Sequence, residues 1–483
     1  MLKISRRRLL QSAGIAAAAA AVNVPVKSLA QGKNTPAVND GWHYGHCRMC
    51  MRGDCPMMYR VENGIVVELR GNPDSPSNRG ALCARGNSLI QNLYNPYRVK
   101  KPMKRTNPKK GVHEDPKWVE ISWEEALSTT SSVLKKTHEK DPRRFIFQVG
   151  FGDMDYFCTF LFYFADAYGT PNYLKSNGTL CAVHYAADMT QGVFPVTVAD
   201  ISKGKFVLAV GRHTGMSIAE ANGVVRDVFD AIEDGVRFVT VDPRCSPEAS
   251  KGEWVPIKPG TDLSFLMAFA HVMLYEIKKL DTESLRWATN SPYLIGPDGD
   301  YFRGKDGKPQ IYDKSDKKVK SFDDKTLTTP DLGVLDIMVD VKTVTSAFLL
   351  VKDGFKDTTP EWAEQISTVP AKKIRALAKE FVDKASLGKT VTLKDSKGQD
   401  RVFPLRTSCV VTNRGVMNSR DGIHCDLMSK VINQLVGSLD VPGGNLGCIR
   451  GPHLSPDEDG VVAPKMEAIY KDPVWPPQHI NLY

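Results

Sequence analysis

Three thiols fall within nine residues, at Cys47, Cys50 and Cys55, and a fourth, Cys83, follows after 27 intervening positions. Thiols this close on one loop do not readily pair with each other. As thiolates they can converge on one metal centre, which a ligand from a distant loop then closes. Zinc competes for the same soft donors, and disulfides are the usual role of cysteine in exported chains. Zinc ribbons bring two matched pairs, so the three-plus-one spacing favours a [4Fe–4S] cubane. Zinc and disulfides stay open on the spacing alone.

Other residues could do chemistry further along. Cys181 follows a loop containing Gly178, with His184 three residues beyond it. Taken alone, Cys181 reads as a small buried residue, and His184 as a core histidine with proton relay as its rival. Cys158, in the aromatic-rich stretch 156–168, also reads as core. Asp242 closes the apolar run 236–241, and Asp262 ends Pro256-Ile257-Lys258-Pro259-Gly260-Thr261-Asp262. A carboxylate at a strand's C-terminal end can accept from a nucleotide. A turn or helix cap is the plainer reading of either Asp.

The elements that must position these groups follow from local pattern. Asn63-Gly64 between β-rich runs predicts a hairpin with a type I′ turn. Gly71-Asn72-Pro73-Asp74-Ser75-Pro76 then leads back to Cys83, giving a small β domain that holds the thiols at one edge. Ser122 and Glu125 predict a capping box that opens a helix to about Glu139, with a strand over 144–149 next. The run 206–211 predicts a buried parallel strand ending at Gly211. A helix over 218–233 and a strand over 236–242 complete a βαβ unit, without a GxGxxG signature. Residues 290–332 are polar, with a Lys/Asp run at 313–325, and predict a solvated insertion; a substrate lid or basic docking strip is the rival. Helices are predicted to open at Thr359-Pro360 and at Val369-Pro370-Ala371, the second reaching about Asp383. No internal repeat is visible.

A chain of 483 residues with 42% hydrophobic content is a multidomain protein with a sizeable core, not a disordered one. It has no apolar run of the length a polytopic membrane protein needs. The net charge of +9 would suggest an acidic partner, but Lys3, Arg6, Arg7, Arg8 and Lys27 supply five of those charges within residues 1–30, which hold no acid. A basic start, an apolar stretch 13–22 and Ser28-Leu29-Ala30 read as a signal peptide cleaved after Ala30. The segment resembles a twin-arginine export signal, which carries proteins already folded, often around a cofactor. Nucleic acid is not an expected partner: the basic residues of 98–110 are interleaved with Pro and Asn.

The cysteine pattern, Gly71-Asn72-Pro73 and Gly80-Ala81-Leu82-Cys83-Ala84-Arg85-Gly86 resemble the N-terminal domain of the dimethyl sulfoxide reductase family. Asp242-Pro243-Arg244, residues 256–262, residues 414–435 and Val441-Pro442-Gly443-Gly444-Asn445 extend the resemblance over roughly 41–450. It implies molybdenum or tungsten held by two pyranopterin guanine dinucleotides, and a [4Fe–4S] cluster on Cys47, Cys50, Cys55 and Cys83. It also implies Arg85 between cluster and pterin, and Cys181 as protein ligand to the metal with His184 nearby for protons. Asp242 is implied near a ribose and Asp262 at the guanine N–H groups, with Gly211 and Arg212 as further cofactor contacts. One departure is the four residues between Cys50 and Cys55, where three is the commonest spacing.

The expected fold class is α/β and multidomain, a small iron–sulfur β domain followed by Rossmann-like domains. The expected parts are the signal peptide 1–30, the cluster domain 41–105 and a split α/β domain of 106–172 and 345–465. A dinucleotide-binding domain over 173–344 and a connector over 466–483 complete them. Family chains continue into a C-terminal domain, so a fragment or a split subunit is expected here. The implied function is that of an exported, periplasmic catalytic subunit that works on a small molecule, with a preference for sulfur or arsenic oxyanions. Formate oxidation and a non-redox hydratase or transhydroxylase are the alternatives. The implied partners are a membrane anchor and an iron–sulfur electron-transfer subunit.

Overall fold

The computed structural model describes residues 39–47, 49, 55–75, 78–149, 164–175, 197–213, 222–394 and 398–447. These fall into two compact units, one holding the described residues up to 175 and the other nearly all of those from 197 onward.

The first unit opens with an antiparallel three-stranded sheet, β1 (Gly41–Cys47), β2 (Cys55–Glu62) and β3 (Ile65–Gly71). The β2–β3 turn has positive φ at both Asn63 (51°) and Gly64 (74°), as a type I′ hairpin requires. A short helix α1 (Ala84–Asn87) follows the returning loop. Further along the chain lies α2 (Trp123–Lys140), whose N-terminus Ser122 caps by accepting from Glu125 N at 3.0 Å. Only half of the expected capping box forms, because the Glu125 carboxylate pairs with Lys104 Nζ at 3.0 Å. The strand expected over 144–149 begins later, as β4 (Phe147–Val149), since Pro142–Arg144 is a 3₁₀ turn; it pairs in parallel with β5 (Tyr173–Lys175).

The second unit is built on a parallel sheet of four strands. In chain order its elements are β6 (Phe206–Val210), α3 (Asn222–Glu233), β7 (Arg237–Val241), α4 (Pro247–Lys251), β8 (Glu253–Val255) and α5 (Asp262–His271). After the insertion come α6 (Ala371–Asp383), β9 (Ser408–Thr412) and α7 (Gly422–Leu435). The strand order is β8-β7-β6-β9, all parallel. Part of segment 345–465 therefore shares a sheet with segment 173–344.

The alternation along β6 explains the layering. Phe206, Leu208 and Val210 face a large core shared with Phe265 and Phe269 of α5, Phe381 of α6 and Ile432 of α7. Val207 and Ala209 face a second core with Val228 of α3. Every residue of β6 and β9 is buried, the signature of a sheet covered by helices on both faces. The outer edge of β9 would leave backbone groups unpaired. Asn433 closes it, its side chain accepting from Val410 N and donating to Val410 O, both at 2.8 Å.

The insertion is more ordered than a solvated loop. Leu294, Phe302, Val334 and Val344 form a core of their own. The strands Gln310–Asp313 and Lys318–Ser321 pair as a hairpin around the buried Asp313. Burial works against the charge of that carboxyl, but Lys320 Nζ at 2.8 Å and the N–H groups of Thr328 and Ser315 outweigh it and hold it far below the usual carboxylate range. Two of the module's lysines are held by its own acids: Lys308 pairs with Asp323, and Lys320 with both Asp313 and Asp316.

Candidate metal and dinucleotide sites

Cys47 ends β1 and Cys55 begins β2, and the register sets them directly opposite each other. The returning loop is fastened to this end of the sheet. Pro56 O accepts from Asn72 N at 3.0 Å and from Asn78 Nδ2 at 2.9 Å, and Asn78 also donates to Ala81 O at 2.8 Å. Gly71 has to be glycine, because a Cβ there would meet Gly80 O at 2.4 Å. This close approach brings Cys83 round to the N-cap position of α1. A Cβ on Gly86, in the same turn, would come within 3.4 Å of Cys47 Sγ. The Cys47 sulfur therefore rests against the Cys83 turn. Asn87 holds that turn, its amide donating to Leu82 O and Cys83 O.

Three of the four predicted cluster cysteines thus share one edge, and Arg85 lies exposed in the same turn as Cys83. Among the described residues no three His, Cys, Asp or Glu side chains converge as a metal cage. Cys50 and the rest of loop 50–54 lie outside the described residues. The donor set, soft sulfurs at facing strand ends and on the fastened returning loop, fits a thiolate-bound iron–sulfur cluster. Asn78, Pro56 and Asn87, which set the loop geometry, were not foreseen; only the turn-forming character of the stretch hinted at them.

In the second unit the C-terminal ends of the parallel strands gather the other candidates. Gly211 follows β6 with φ +54°, and a Cβ there would meet Val416 N at 2.7 Å. Its N–H donates to Val241 O at 2.9 Å and its carbonyl accepts from Gly415 N at 2.8 Å, tying together the ends of β6, β7 and β9. Arg212 is buried, its Nη1 donating to Thr412 O at 3.0 Å and Thr197 O at 3.3 Å. That guanidinium braces the backbone beneath the strand ends.

Asp242 lies just past β7, and its Oδ1 accepts from Arg244 N at 2.8 Å, the turn contact that was its plainer reading. Asp262 is buried at the start of α5. Burial raises its carboxyl above the ordinary range, and the nearby Asp242 charge adds to the rise. The two acids therefore sit within electrostatic reach, although 20 residues of sequence separate them. Sequence reasoning missed a half-buried pair near the same strand ends, His213 Nδ1 and the buried Glu248 Oε1, 2.7 Å apart. Beneath lies another buried group: Thr412 donates to Asp426, and Lys430 Nζ reaches Thr197 Oγ1 at 3.0 Å and Asp426 Oδ1 at 3.4 Å. Cys409 and Cys425 are core thiols, pushed up to about 12 chiefly by burial. Cys158, Cys181, His184 and the segment 1–30 lie outside the described residues.

The crevice at the C-terminal ends of such a sheet, where β6 is followed on one side by β7 and flanked on the other by β9, is where open α/β folds bind nucleotides. Comparison with known proteins identifies the two domains that carry these residues. The family model for molybdopterin oxidoreductases matches residues 98–463, and the model for the molybdopterin oxidoreductase Fe4S4 domain matches residues 41–95. One subunit of the sulfite dehydrogenase of Allochromatium vinosum is 29% identical, over 82% of this chain and 42% of its own length. The molybdopterin-containing subunit of the Salmonella typhimurium thiosulfate reductase is 26% identical, over 97% of this chain and 54% of its own. The corresponding subunit of the arsenate respiratory reductase of a Shewanella species is 26% identical, over 83% and 41%. The chain thus spans about half the length of these relatives. Among solved structures, acetylene hydratase from Pelobacter acetylenicus shares the fold, with a TM-score of 0.55 at 15% identity over 81% of this chain and 43% of that one.

Proposed function

The chain belongs to the molybdopterin oxidoreductases, with the family's Fe4S4 domain at its start, and from that premise we propose that it is the catalytic subunit of an exported molybdenum enzyme. Its cofactors are those of the family, a [4Fe–4S] cluster and molybdenum held by molybdopterin. When bound, the molybdenum supplies two-electron chemistry and the cluster carries electrons singly. The observation that carries the reading is the fastening of Cys47, Cys55 and the Cys83 turn to one edge of a small sheet.

Each residue has a defined task. Cys47, Cys50, Cys55 and Cys83 bind the cluster, and Arg85, exposed beside Cys83, offers positive charge along the route to the pterin. Cys181 is the thiolate ligand to molybdenum, a soft donor suited to a dithiolene-bound metal, and His184 moves protons. Asp242 accepts from a ribose hydroxyl and Asp262 from the guanine of a pterin guanine dinucleotide, with Gly211 letting backbone approach the ligand. The raised carboxyl of Asp262 suits this arrangement, since guanine N–H donors would stabilise the charge that burial disfavours.

The substrate class is a small sulfur or arsenic anion, such as thiosulfate, tetrathionate, polysulfide or arsenate, a reading supported by the named activities of the similar proteins. Residues 1–30 act as a twin-arginine signal and place the mature chain in the periplasm. A membrane anchor and an iron–sulfur subunit complete the electron path. No helix among the described residues is long and apolar enough to cross a membrane. Replacing Cys181 with Ala in the assembled enzyme should abolish turnover and leave the cluster's paramagnetic signal intact. Turnover at the normal rate in that variant would remove Cys181 as the metal ligand.

A further inference from the structure

Residues 97–120 of the first unit are ordered without a core. They run out through the strand Met103–Arg105, round the loop 106–117 and back through the strand Trp118–Glu120, which pairs with the first. No residue of this arm is buried. Its order comes from polar contacts instead. Lys117 O accepts from Thr106 N at 3.3 Å and from Thr106 Oγ1 at 2.7 Å, and Asp115 O accepts from Asn107 Nδ2 at 2.7 Å. Arg105 Nε donates to Asn107 O, also at 2.7 Å. The backbone is thus held in shape while most side chains stay in solvent.

The arm carries eight Lys and Arg against three Asp and Glu. Two of the cations are paired, Lys101 with Glu120 at 2.9 Å and Lys104 with Glu125 at 3.0 Å. Arg98, Lys100, Lys109, Lys110 and Lys117 form no ion pair among the described residues. A merely solvated basic face is polar between its charges. Here Tyr97 (92% exposed), Val99 (71%), Val112 (97%) and Trp118 (55%) stand between them. Apolar side chains exposed together mark an interaction surface.

The chemistry of the arm separates two kinds of partner. Protein interfaces are enriched in Arg and depleted in Lys, and six of these eight cations are Lys. Hydrated ammonium groups on flexible stems suit a diffuse layer of anionic headgroups, where each adds its own attraction. Tyr and Trp are the side chains of the membrane–water interface. We infer that the arm docks this chain on an anionic lipid surface, with the loop Lys109-Lys110-Gly111-Val112 leading. The ammonium groups meet headgroup phosphates, and Val112 enters the layer beneath them. The chain then lies on the bilayer without crossing it, and the contact is separate from cofactor binding.

The test mixes the full chain at low salt with vesicles of phosphatidylcholine alone, or of phosphatidylcholine with about a third phosphatidylglycerol. The chain should float with the anionic vesicles and not with the neutral ones. Lys109→Gln together with Lys110→Gln should weaken that binding about thirtyfold, the scale of two lysines at an anionic surface. Lys135→Gln together with Lys136→Gln, an equal loss of charge on α2, should leave it nearly unchanged. Residues 1–30 are basic as well, so the contact is also read at the arm, by acetylating the lysines of the native chain. Anionic vesicles should protect Lys109 and Lys110 and leave Lys135 and Lys136 reactive. Equal reactivity of both lysine pairs on the vesicles, or equal losses in the two double variants, overturns the inference. Protection of Lys109 and Lys110 in lipid-free enzyme purified with its partners would give the arm to a protein neighbour and overturn it too.

Discussion

The first unit places Cys47 and Cys55 at facing strand ends and brings in Cys83 on a returning loop held by contacts such as Asn72 N to Pro56 O. The second unit gathers Gly211, Asp242, Glu248, Asp262 and Thr412 from the ends of separate elements, set in place by a two-faced hydrophobic core. In the first unit Cys83 is exposed and β1 and β3 are largely open; in the second the strands and several of the site's polar groups are buried. The contrast teaches that the first unit's candidate site is open and would gain order from a bound metal, whereas the strand ends of the second unit are set in advance by packing.

That contrast can be broken in several ways. The largest effect should come from Cys47→Ala, which should take the chain from about four irons to none and loosen the first unit, while the core of the second still melts cooperatively. Iron retained at the native level would end the assignment of Cys47. Next in size, Phe206→Ala removes a fully buried ring that meets Phe381 at 5.7 Å. It should cost about 3–5 kcal/mol in a denaturant titration with the cluster spectrum unchanged; a coupled loss of the cluster would contradict the independence of the two sites. Gly71→Ala forces a Cβ against Gly80 O and should cost about 1–3 kcal/mol, with iron incorporation falling as the Cys83 loop is displaced.

The smaller effects sharpen the comparison. Ser122→Ala removes the cap of α2 and should cost about 1 kcal/mol, seen as reduced helicity on heating. Asp262→Asn should act in the opposite direction in the cofactor-free chain. A carboxyl raised in the folded state contributes stability below its unfolded value and loses it as pH rises through the folded one. At pH 7 the native Asp262 is therefore a burden, and its removal should gain less than about 2 kcal/mol while guanine binding is lost. A variant that is destabilised at pH 7 would show that the charge is better compensated than its burial implies.

The same contrast governs what could be read from the sequence. The Asn63-Gly64 hairpin, β6 as a buried parallel strand, and α6 over Ala371–Asp383 were legible because turn chemistry, apolar runs and helix starts are local. The thiol spacing was legible for the same reason. Long-range contacts were not. Glu125 gives up half of its capping box to Lys104, 21 residues away. The insertion's core joins Leu294 to Val344 across a polar stretch whose composition reads as solvated. Arg212, expected at the cofactor, turns inward to two carbonyls, and Glu248 finds His213 35 residues away. Such partners are chosen by how the sheet brings strand ends together, and local pattern does not encode that.

The central claim, a cluster on four cysteines serving a molybdenum–pterin centre, is tested most directly by metal and pterin analysis of the enzyme purified intact through this chain. The account predicts about four irons per chain, with molybdenum or tungsten and a guanine-bearing pterin, and no zinc. Zinc in place of iron, or iron with neither molybdenum nor tungsten, would contradict it.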